Sequence, residues 1–492
     1  MDDSKLKWWV LITVMVGTLL GRLDQSIVNL ALPSIISDFR ITVSAAGWIA
    51  TAYILANAVF VPVWGKLGDM VGRKKIYILG FSIFIFGSIL AGFSWNLSSM
   101  IVFRIIQAVA SSADYPTAMA ILAITFKEGK ERAQALGIWS ASFAVGVVLG
   151  PLIGGPLIDN FGWRAVFLIN LPVGLIGLVM AYVFIHESTS NKKVFNFDWQ
   201  GAVLLGIVLS ALVLVLDQGT TWGWLSLNSL ISYLTIIVFS AAFYLFERKH
   251  KEPIIDFKFF KSSTFTGVLI NNFIVFMGMM GALFLIPVFA QTYLGYSATQ
   301  SGYLFIPMAI CMMIAAQIGG RMVGKVKTKN IIFFSTLFAS FGLMLFMFTI
   351  DPRSNAWDII IPLSVFSFSM GFGMAQRTAA IASSVPKDEI GVASSVLALA
   401  RNIAGAFGIA IFATILSNLI KNNVLQIAKN TVIHSMDPNV YKGVVSLIIL
   451  KAQVLAYKEV FEIGALVVFI GAIAALFLKI KHESTEKIHI ES

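Results

Sequence analysis

The chain has 492 residues, of which 58% are hydrophobic and 12% are charged. A soluble domain carries roughly 25% charged residues, so the composition excludes a soluble protein and indicates one that crosses a membrane many times. The single cysteine, Cys311, excludes a disulfide framework, and the five histidines show no metal-ligand spacing. The net charge of +11 is compatible with a polyanion partner such as a nucleic acid, but the positions of the charges along the chain indicate another role.

Fourteen apolar segments predict an all-α polytopic membrane protein. The first follows a short charged start, so we expect no cleavable signal peptide. Of the 36 Lys and Arg residues, 24 lie in loops on the side of the N-terminus and 8 lie on the opposite side. This asymmetry predicts cytoplasmic termini, and it makes the basic charge an orientation signal rather than a nucleic-acid site. The predicted spans are 8–32, 46–64, 76–94, 98–125, 134–157, 163–185, 199–216, 226–246, 264–290, 300–320, 329–349, 357–382, 390–417 and 458–478.

The order of these spans predicts two six-helix bundles with an extra transmembrane hairpin between them. Spans 1–6 form an N-terminal bundle, residues 1–185, and spans 9–14 form a C-terminal bundle, residues 264–492. Residues 186–263 form a linker that contains the extra hairpin, spans 7 and 8. A long external loop, 418–457, is predicted to contain a helical hairpin that lies near the membrane surface.

The loop between spans 2 and 3 has the features of a conformational latch. Gly65, Gly68 and Gly72 permit a tight turn between antiparallel helices. Asp69 and Arg73 are four residues apart and oppositely charged, so they can pair across the turn or with a neighbouring helix. An ordinary positive-inside loop explains the basic residues but neither the aspartate nor the glycines.

Ionisable side chains in hydrocarbon are costly and usually functional, and spans 1 and 4 contain four of them. At 1.5 Å per residue, Asp24 in span 1 lies about 24 Å from the cytoplasmic end, and Arg104 in span 4 lies about 9 Å from the external end. Both therefore fall in the outer third of a core of about 30 Å, which makes an Asp24–Arg104 pair possible. The others are Arg22 in span 1 and Asp114 in span 4.

Span 4 also carries a polar stripe. Arg104, Gln107, Ser111 and Tyr115 share one helical face and are plausible wall residues of a cavity, and Asp114 lies beside this face and deeper toward the cytoplasm. We expect Asp24, Arg104 and Asp114 to be the proton-coupling residues, because a buried acid can take and release a proton. Two structural alternatives stay open. Asp24 can be part of a purely structural salt bridge, and Asp114 can be a helix cap or a snorkelling side chain.

The second block offers polar candidates for substrate contacts. Unpaired amides are costly in lipid, which favours the amides of spans 9 and 10. Arg377 in span 12 is equally consistent with a cavity cation and with a side chain that snorkels to the cytoplasmic end. With the residues of spans 1 and 4, the predicted substrate-cavity set is Arg22, Asn29, Gln107, Ser111, Tyr115, Asn271, Asn272, Tyr303, Gln317 and Arg377.

Three motifs carry a resemblance to a known family. Residues 65–75 resemble the loop between spans 2 and 3 of major facilitator superfamily transporters. Residues 23–33, Leu-Asp-Gln-Ser-Ile-Val-Asn-Leu-Ala-Leu-Pro, resemble the span-1 motif of its fourteen-span drug:proton antiporters. Span 5 contains G-x-x-x-G-P-x-x-G-G, which is similar to the antiporter motif of that family and whose small residues allow close helix approach. The motif residues in span 5 are Gly146, Gly150, Pro151, Gly154 and Gly155.

The resemblance implies a major facilitator fold and a proton-coupled antiporter that exports amphipathic small molecules by alternating access, as multidrug efflux pumps do. It also implies a role for the arginine of Phe103-Arg104-Ile105-Ile106-Gln107 in proton coupling. The motif departs from the family at Ala108, where glycine is usual, and at Asp114, where we expect an apolar residue. We expect a monomer in a bacterial-type cell membrane, with the proton as coupling ion and no other cofactor.

Two alternatives remain. The first keeps the fold and changes the cargo to a lipid, a lipid-linked precursor or an anionic or zwitterionic metabolite, with Arg22 and Arg377 binding its head group. The second is a membrane enzyme or receptor. The sequence disfavours this class, because it shows neither clustered catalytic residues nor a phosphate-binding loop of the G-x-x-x-x-G-K-[ST] type.

Overall fold

The computed structural model describes residues 3–126, 130–187, 198–250, 253–255, 257–322, 326–385, 390–431 and 438–478, most of which are helical. Among them, eleven helical segments are long and apolar enough to cross a membrane. The helices are α1 (Asp3–Phe39), α2 (Val43–Val71), α3 (Arg73–Gly92), α4 (Leu97–Ser111), α5 (Asp114–Thr125), α6 (Lys130–Phe161), α7 (Ala165–Leu168), α8 (Asn170–Phe184), α9 (Trp199–Trp222), α10 (Leu227–Glu247), α11 (Ser263–Tyr293), α12 (Ala298–Tyr303), α13 (Phe305–Met322), α14 (Thr328–Thr349), α15 (Ala356–Ala382), α16 (Ile390–Lys429) and α17 (Pro438–Ala475).

The all-helical prediction is confirmed, and three predicted spans are divided into two helices each. Span 4 is interrupted between α4 and α5 at Ser112 and Ala113, span 6 at Ile169, and span 10 at Leu304. When these pairs are joined, the helices follow the predicted segments in chain order. The number of spans that cross the bilayer, fourteen, stays a prediction.

Local side chains determine where several helices begin. Asn96 and Ser99 form a reciprocal capping box at the start of α4, and Ser297 and Gln300 do the same at α12.

The loop predicted at residues 65–75 is helical on both sides of Gly72, which separates α2 from α3 with φ of 115°. The turn is therefore shorter than predicted, because one glycine in a left-handed conformation is enough to redirect the chain.

The segment predicted as an external loop, 418–457, is helical where the structure describes it, but it is not separate from the spans. α16 continues to Lys429, and α17 begins at Pro438, a residue that is favoured at the first position of a helix. Asn423 on α16 donates a hydrogen bond to Glu459 on α17 at 3.1 Å. The helices thus extend past the predicted span ends at residues 417 and 458, and the external position of 418–457 stays a prediction.

The chain forms two compact units. In the first, α1 packs along α6 and α8, α3 along α4, and α9 packs against both α2 and α10. In the second, α14 packs against both α15 and α17. The first unit contains residues 1–255, 280–306 and 405–418, and the second contains residues 256–279, 307–404 and 419–492. The predicted domain boundaries at residues 185 and 263 stay a prediction.

Candidate functional site

The first unit buries a carboxylate and a guanidinium together between α1 and α4. Arg104 donates a hydrogen bond from Nη1 to Oδ2 of Asp24, with 2.6 Å between the two atoms. The side chain of Asp24 has no exposed surface, and that of Arg104 is 2% exposed. The structure therefore confirms the pairing that the helix depths had predicted.

Neutral polar side chains complete the hydrogen bonds of this pair. Gln107 and Asn170 each donate from the amide nitrogen to Oδ1 of Asp24 at 2.9 Å. Both amides also donate to the hydroxyl of Ser88. Gln107 in turn accepts a hydrogen bond from Arg104. Both carboxylate oxygens thus accept hydrogen bonds, which stabilise the charged form of Asp24.

Aromatic rings cover the guanidinium of Arg104. Its central carbon lies 4.0 Å from the centroid of the Tyr53 ring and 5.7 Å from that of Phe167, which are cation–π distances. The Tyr53 hydroxyl donates to the hydroxyl of Ser111 at 2.7 Å. Within the described residues, Nε of Arg104 is buried without a hydrogen-bond partner. The rings therefore hold the guanidinium beside Asp24 while leaving one of its donors unused.

A second buried acid faces a polar cavity of about 50 Å³ within the first unit. Thr18 donates to Oδ2 of Asp114 at 2.7 Å, and Trp139 donates to the Thr18 hydroxyl at 2.9 Å. Oδ1 of Asp114 is buried without a hydrogen-bond partner among the described residues. One water needs about 10–15 Å³ of such volume, so the cavity has room for a few. Asp114 can therefore accept a proton on Oδ1 without losing an ion pair.

A cationic side chain lines the same cavity as Asp114. Arg22 donates from Nη1 to Oε1 of Gln25 at 3.2 Å, and both side chains line the cavity. Ser111 and Tyr115 line it as well. The structure thus brings together four of the residues that the sequence pointed to, and it places a positive and a negative group on one small polar space.

The span-5 motif fits α6 tightly against α1. A methyl group at Gly150 would overlap the hydroxyl of Ser26, and one at Gly154 would lie 2.8 Å from Ile27. Only glycine permits this approach, which fixes the α1 segment that carries Asp24. The glycines of this face are Gly146, Gly150 and Gly154, and the α1 residues opposite them are Arg22, Ser26 and Ile27.

The same motif also brings α6 against α12 within the first unit. A Cβ atom at Gly155 would overlap the backbone of Thr299, and one at Gly302 would meet the carbonyl of Pro151. The two helices therefore cross backbone to backbone at a glycine from each. At these two positions the contact is made by backbone atoms, and a side chain at either would force the helices apart.

Asp159 near the end of α6 adds a polar bond to this crossing. Its two carboxylate oxygens accept hydrogen bonds from the backbone N–H groups of Ala298 and Thr299, each at 3.0 Å. Burial works to raise the pKa of Asp159, but the hydrogen bonds from Thr299 and Ala298 outweigh it and hold the pKa below its ordinary value. The charged form of Asp159 is therefore the form that secures α12.

The predicted latch lies at the junction of α2 and α3. Arg73 donates from Nη1 to the carbonyl of Ala120 on α5 at 3.3 Å. Gly68 is buried, and its carbonyl accepts the N–H of Gly72. Gly65 and Asp69 belong to α2, but their surroundings lie outside the described residues. The Asp69–Arg73 pairing therefore stays a prediction.

An acid that the sequence analysis did not single out caps α3. Glu187 accepts hydrogen bonds from the backbone N–H groups of Lys74 and Lys75, each at 3.2 Å. A Cβ atom at position 72 would overlap the carboxylate of Glu187. Gly72 is therefore required both by its positive φ and by the space that this carboxylate occupies.

Comparison with known proteins decides the family. A model of the Major Facilitator Superfamily matches residues 14–409. The chain belongs to the major facilitator superfamily. It is similar to the multidrug transporter protein MdtP of Bacillus subtilis, with 33% identity over 85% of this chain and 76% of the relative. It is also similar to the riboflavin transporter RibZ of Clostridioides difficile, with 31% identity over 98% of this chain and 99% of that protein.

Solved structures support the same fold. A bacterial homologue of the human lysosomal transporter Spinster, in an inward-facing and occupied conformation, matches with a TM-score of 0.69 and 15% identity over 96% of each chain. At this identity the likeness shows the major facilitator fold alone. The resemblance read from the span-1, span-5 and loop motifs is confirmed, because several relatives are named as multidrug transporters or resistance proteins.

The remaining predicted site residues of this facilitator lie in several different environments. Gln107 belongs to the Asp24 network rather than to the polar cavity lining. Arg377 is 2% exposed, so it does not snorkel, and it binds Asn271 in the second unit. Asn272 accepts from Arg401 there. Asn29 is half-buried on α1, whereas Tyr303 and Gln317 are exposed.

Sequence reasoning missed several members of the first-unit network. Asn170 is a single amide in an otherwise apolar span, which is a readable signal for a buried hydrogen-bonding role. Ser88 and Thr18 carry no such signal, because hydroxyls often bond to the backbone of their own helix. Tyr53 lies in an apolar stretch where its ring does not stand out.

Proposed function

We propose that this facilitator is a proton-coupled antiporter that exports amphipathic small molecules by alternating access. The observation that carries the proposal is the buried Asp24–Arg104 pair beside the cavity of Asp114. A buried ion pair is costly to form and contributes little net stability, so its presence favours a functional role. The relatives named as multidrug transporters favour the same class of substrate.

The two acids have different parts in the proposed coupling. At Asp24 an incoming proton competes with Arg104 for the carboxylate, so protonation and separation of the pair are linked. At Asp114 the partnerless Oδ1 takes a proton directly from the cavity. Protonation removes a charge that is costly to carry through hydrocarbon, which lowers the barrier to rearrangement of the bundle.

The driving force is sufficient for modest uphill export. One proton that moves inward releases about 2.3 kcal/mol per 100 mV of membrane potential, and a pH gradient adds to this. A difference of 1.4 kcal/mol corresponds to a tenfold ratio of concentrations, so one proton exchanged for an uncharged substrate supports a gradient of more than tenfold at 100 mV. Exchange for a monovalent cation moves no net charge and is driven by the pH gradient alone. Transport of one substrate for one proton is therefore adequate for resistance to a toxic compound.

Two sets of contacts are proposed as gates. The latch residues Asp69 and Arg73 stabilise the outward-open state by closing the cytoplasmic side, and the bond of Arg73 to Ala120 supports a structural role there. On the other side of the membrane, the crossing of α6 and α12 at Gly155 closes the path. We further propose that both termini are cytoplasmic, that the protein lies in the cell membrane and that it acts as a monomer.

A second candidate keeps the mechanism and changes the cargo to an anionic or zwitterionic metabolite, or to a lipid or lipid-linked precursor. The observation in its favour is the position of Arg22, whose side chain lines the polar cavity opposite an acid. The similarity to a riboflavin transporter along almost the whole chain shows that relatives with non-drug cargo exist. A transport assay in which anions, zwitterions and cations compete with the substrate distinguishes this candidate from a multidrug exporter.

Substrate-driven proton movement in proteoliposomes tests the proposal. Addition of an amphipathic compound such as ethidium to vesicles with a proton gradient is expected to release protons in the wild-type protein. Asp114→Asn is expected to lose this release while keeping its melting temperature, because an amide oxygen can still accept the hydrogen bond from Thr18. Glu462→Gln, which changes an exposed acid on α17, serves as the matched control. Full proton release in both Asp24→Asn and Asp114→Asn would remove these acids from the mechanism.

A further inference from the structure

The second unit contains a buried arginine that forms no ion pair with any described carboxylate. Arg377 on α15 donates from Nε to Oδ1 of Asn271 at 2.9 Å, and from Nη2 to the hydroxyls of Thr336 at 2.9 Å and Ser335 at 3.2 Å. A side chain at position 373 would overlap the guanidinium, so Gly373 provides its space. Helices α11, α14 and α15 thus form one pocket for the guanidinium.

All these hydrogen-bond partners are neutral. Asn271 and Thr336 are themselves fixed, because Asn271 donates to Thr336 and to the carbonyl of Gly471. Within the described part of the chain, no carboxylate forms an ion pair with Arg377. Hydroxyls and amides satisfy the guanidinium's hydrogen bonds but do not neutralise its charge, and an unneutralised charge in the membrane is costly. In the first unit the corresponding cost at Arg104 is offset by Asp24.

A second arginine lies at the open edge of this pocket. Arg401 on α16 contacts the Oδ1 atom of Asn272 and the hydroxyl of Thr378, each at 3.4 Å. Thr378 follows Arg377 in the chain, and Asn272 follows Asn271, so Arg401 contacts the residues next to Arg377 and next to its partner Asn271. Thr378 is exposed whereas Arg377 is buried, which gives the cluster an open side and a closed floor.

One strong donor inside the cluster is unused. Nδ2 of Asn272 is buried and has no hydrogen-bond partner among the described residues. The orientation of its amide is determined by Arg401, which donates to the oxygen and leaves the nitrogen available. A buried donor without an acceptor costs about 1–3 kcal/mol, so this position favours a ligand that supplies an acceptor.

We infer that Arg377, Arg401 and Asn272 form a binding site for an oxyanion, a carboxylate or phosphate group, carried by the exported molecule. This inference rests on the proposed export function and specifies its substrate class. The site presents two guanidinium groups and a free amide N–H, and planar guanidinium groups match carboxylate and phosphate geometry. Binding of the anion supplies the missing acceptor at Asn272 and neutralises the buried positive charge.

An aromatic ring beside the site fits the apolar part of such a molecule. The central carbon of the Arg401 guanidinium lies 5.1 Å from the centroid of the Phe276 ring. Phe276 is half-buried and lies one helical turn beyond Asn272 on α11. An amphipathic anion can therefore place its charged group against Asn272 and Arg401 and its apolar body along this ring.

A matched pair of ligands tests the site in the full-length protein. 1-Naphthaleneacetate and 1-naphthaleneacetamide have the same shape and differ in one charged group, and their dissociation constants can be measured by equilibrium dialysis of purified protein. We expect the wild-type protein to prefer the acetate by about tenfold, which corresponds to 1.4 kcal/mol. Arg401→Gln is expected to reduce this preference to near one and to leave the affinity for the amide unchanged.

A second variant protects the test against misfolding. Asn272→Asp is nearly isosteric and places a carboxylate between the arginines, so it should abolish the preference for the acetate without loss of melting temperature. Lys327→Gln removes one exposed charge from the same unit and should keep the preference.

A third measurement, with inorganic phosphate added, identifies the source of the oxyanion. If phosphate lowers the affinity for the acetate but not for the amide in the wild type, and has no effect in Arg401→Gln, the site exists and a free ion can fill it.

Equal affinity for acetate and amide, with no effect of phosphate, would overturn the inference. That result is distinguishable from failure of the proposed function. A protein that still moves protons in response to ethidium but shows no anion preference is an exporter without this site. A protein that prefers the acetate but moves no protons with any substrate has the site without the proposed coupling.

Discussion

The buried charge pair of the first unit can be tested by replacing one oxygen with an amide. Asp24→Asn keeps the shape of the side chain but leaves the guanidinium of Arg104 without an anion. The new amide also has a single acceptor. If that oxygen faces Arg104, the amide nitrogen meets the donor nitrogens of Gln107 and Asn170. Removal of one partner of a buried pair costs about 3–5 kcal/mol, so we expect the free energy of unfolding to fall by that amount.

A double-mutant cycle isolates the interaction. Arg104→Gln alone is expected to cost as much as Asp24→Asn, whereas the double variant should cost about 2–3 kcal/mol less than the sum, because no charge remains buried. Unfolding in mild detergent, followed by tryptophan fluorescence, measures each free energy. Asp38→Asn is the matched control, since its pair with Arg164 is exposed and is worth at most about 1 kcal/mol. A cost below about 1 kcal/mol for Asp24→Asn, with an additive double variant, would refute the reasoning.

Three further substitutions probe helix contacts. Gly150→Ala should lower the free energy of unfolding by about 1–3 kcal/mol, because the new methyl group overlaps Ser26. In the double variant, Ser26→Gly should restore most of this loss. Changes in melting temperature that simply add in the double variant would contradict this. The pKa of Asp159 is lowered, so its contribution to stability is present above the ordinary pKa near 4 and is lost as the pH falls further. The melting temperature of Asp159→Asn should therefore decline less than that of the wild type between about pH 5 and pH 3. Parallel declines of the two proteins would exclude this contribution. Gly72→Ala should cost about 1–3 kcal/mol, since its φ is 115° and the new methyl meets Glu187, and an unchanged melting temperature would show that the junction relaxes freely.

Periodic and composition signals predicted the fold well. Apolar runs of membrane length placed most helices, because a segment in lipid must satisfy its backbone groups internally and has few conformations available. The differences lie at the helix ends and interruptions. α16 and α17 extend beyond their predicted spans, to Lys429 and from Pro438. The interruption at Ser112 and Ala113 lies one turn before Pro116, which has no N–H to donate to the carbonyl of Ser112, so the sequence did contain a signal for it.

The candidate site was predictable in its charges and not in its neutral members. Helix depth predicted that Asp24 and Arg104 meet, since both positions follow from a fixed rise per residue. The same arithmetic says nothing of rotation about the helix axis, so it could not separate Gln107, which binds Asp24, from Ser111, which lines the cavity. The bond from Asn170 depends on how α8 packs against α1, and no local pattern encodes that.

The two six-helix blocks place groups of opposite charge at comparable three-helix junctions. In the first unit, Asp114 on the fourth span bonds to Thr18 on the first. In the second, Arg377 on the fourth span of its block bonds to Asn271 on the first and to Thr336 on the third. Asp114 shares its cavity with Arg22, whereas the hydrogen-bond partners of Arg377 are neutral. Under the proposed antiport, a proton at Asp114 would remove a buried negative charge and an oxyanion at Arg377 would neutralise a buried positive one. If both ligands favour the same rearrangement of the bundles, linkage requires that each changes the affinity for the other, and the proton-release and dialysis assays above measure both.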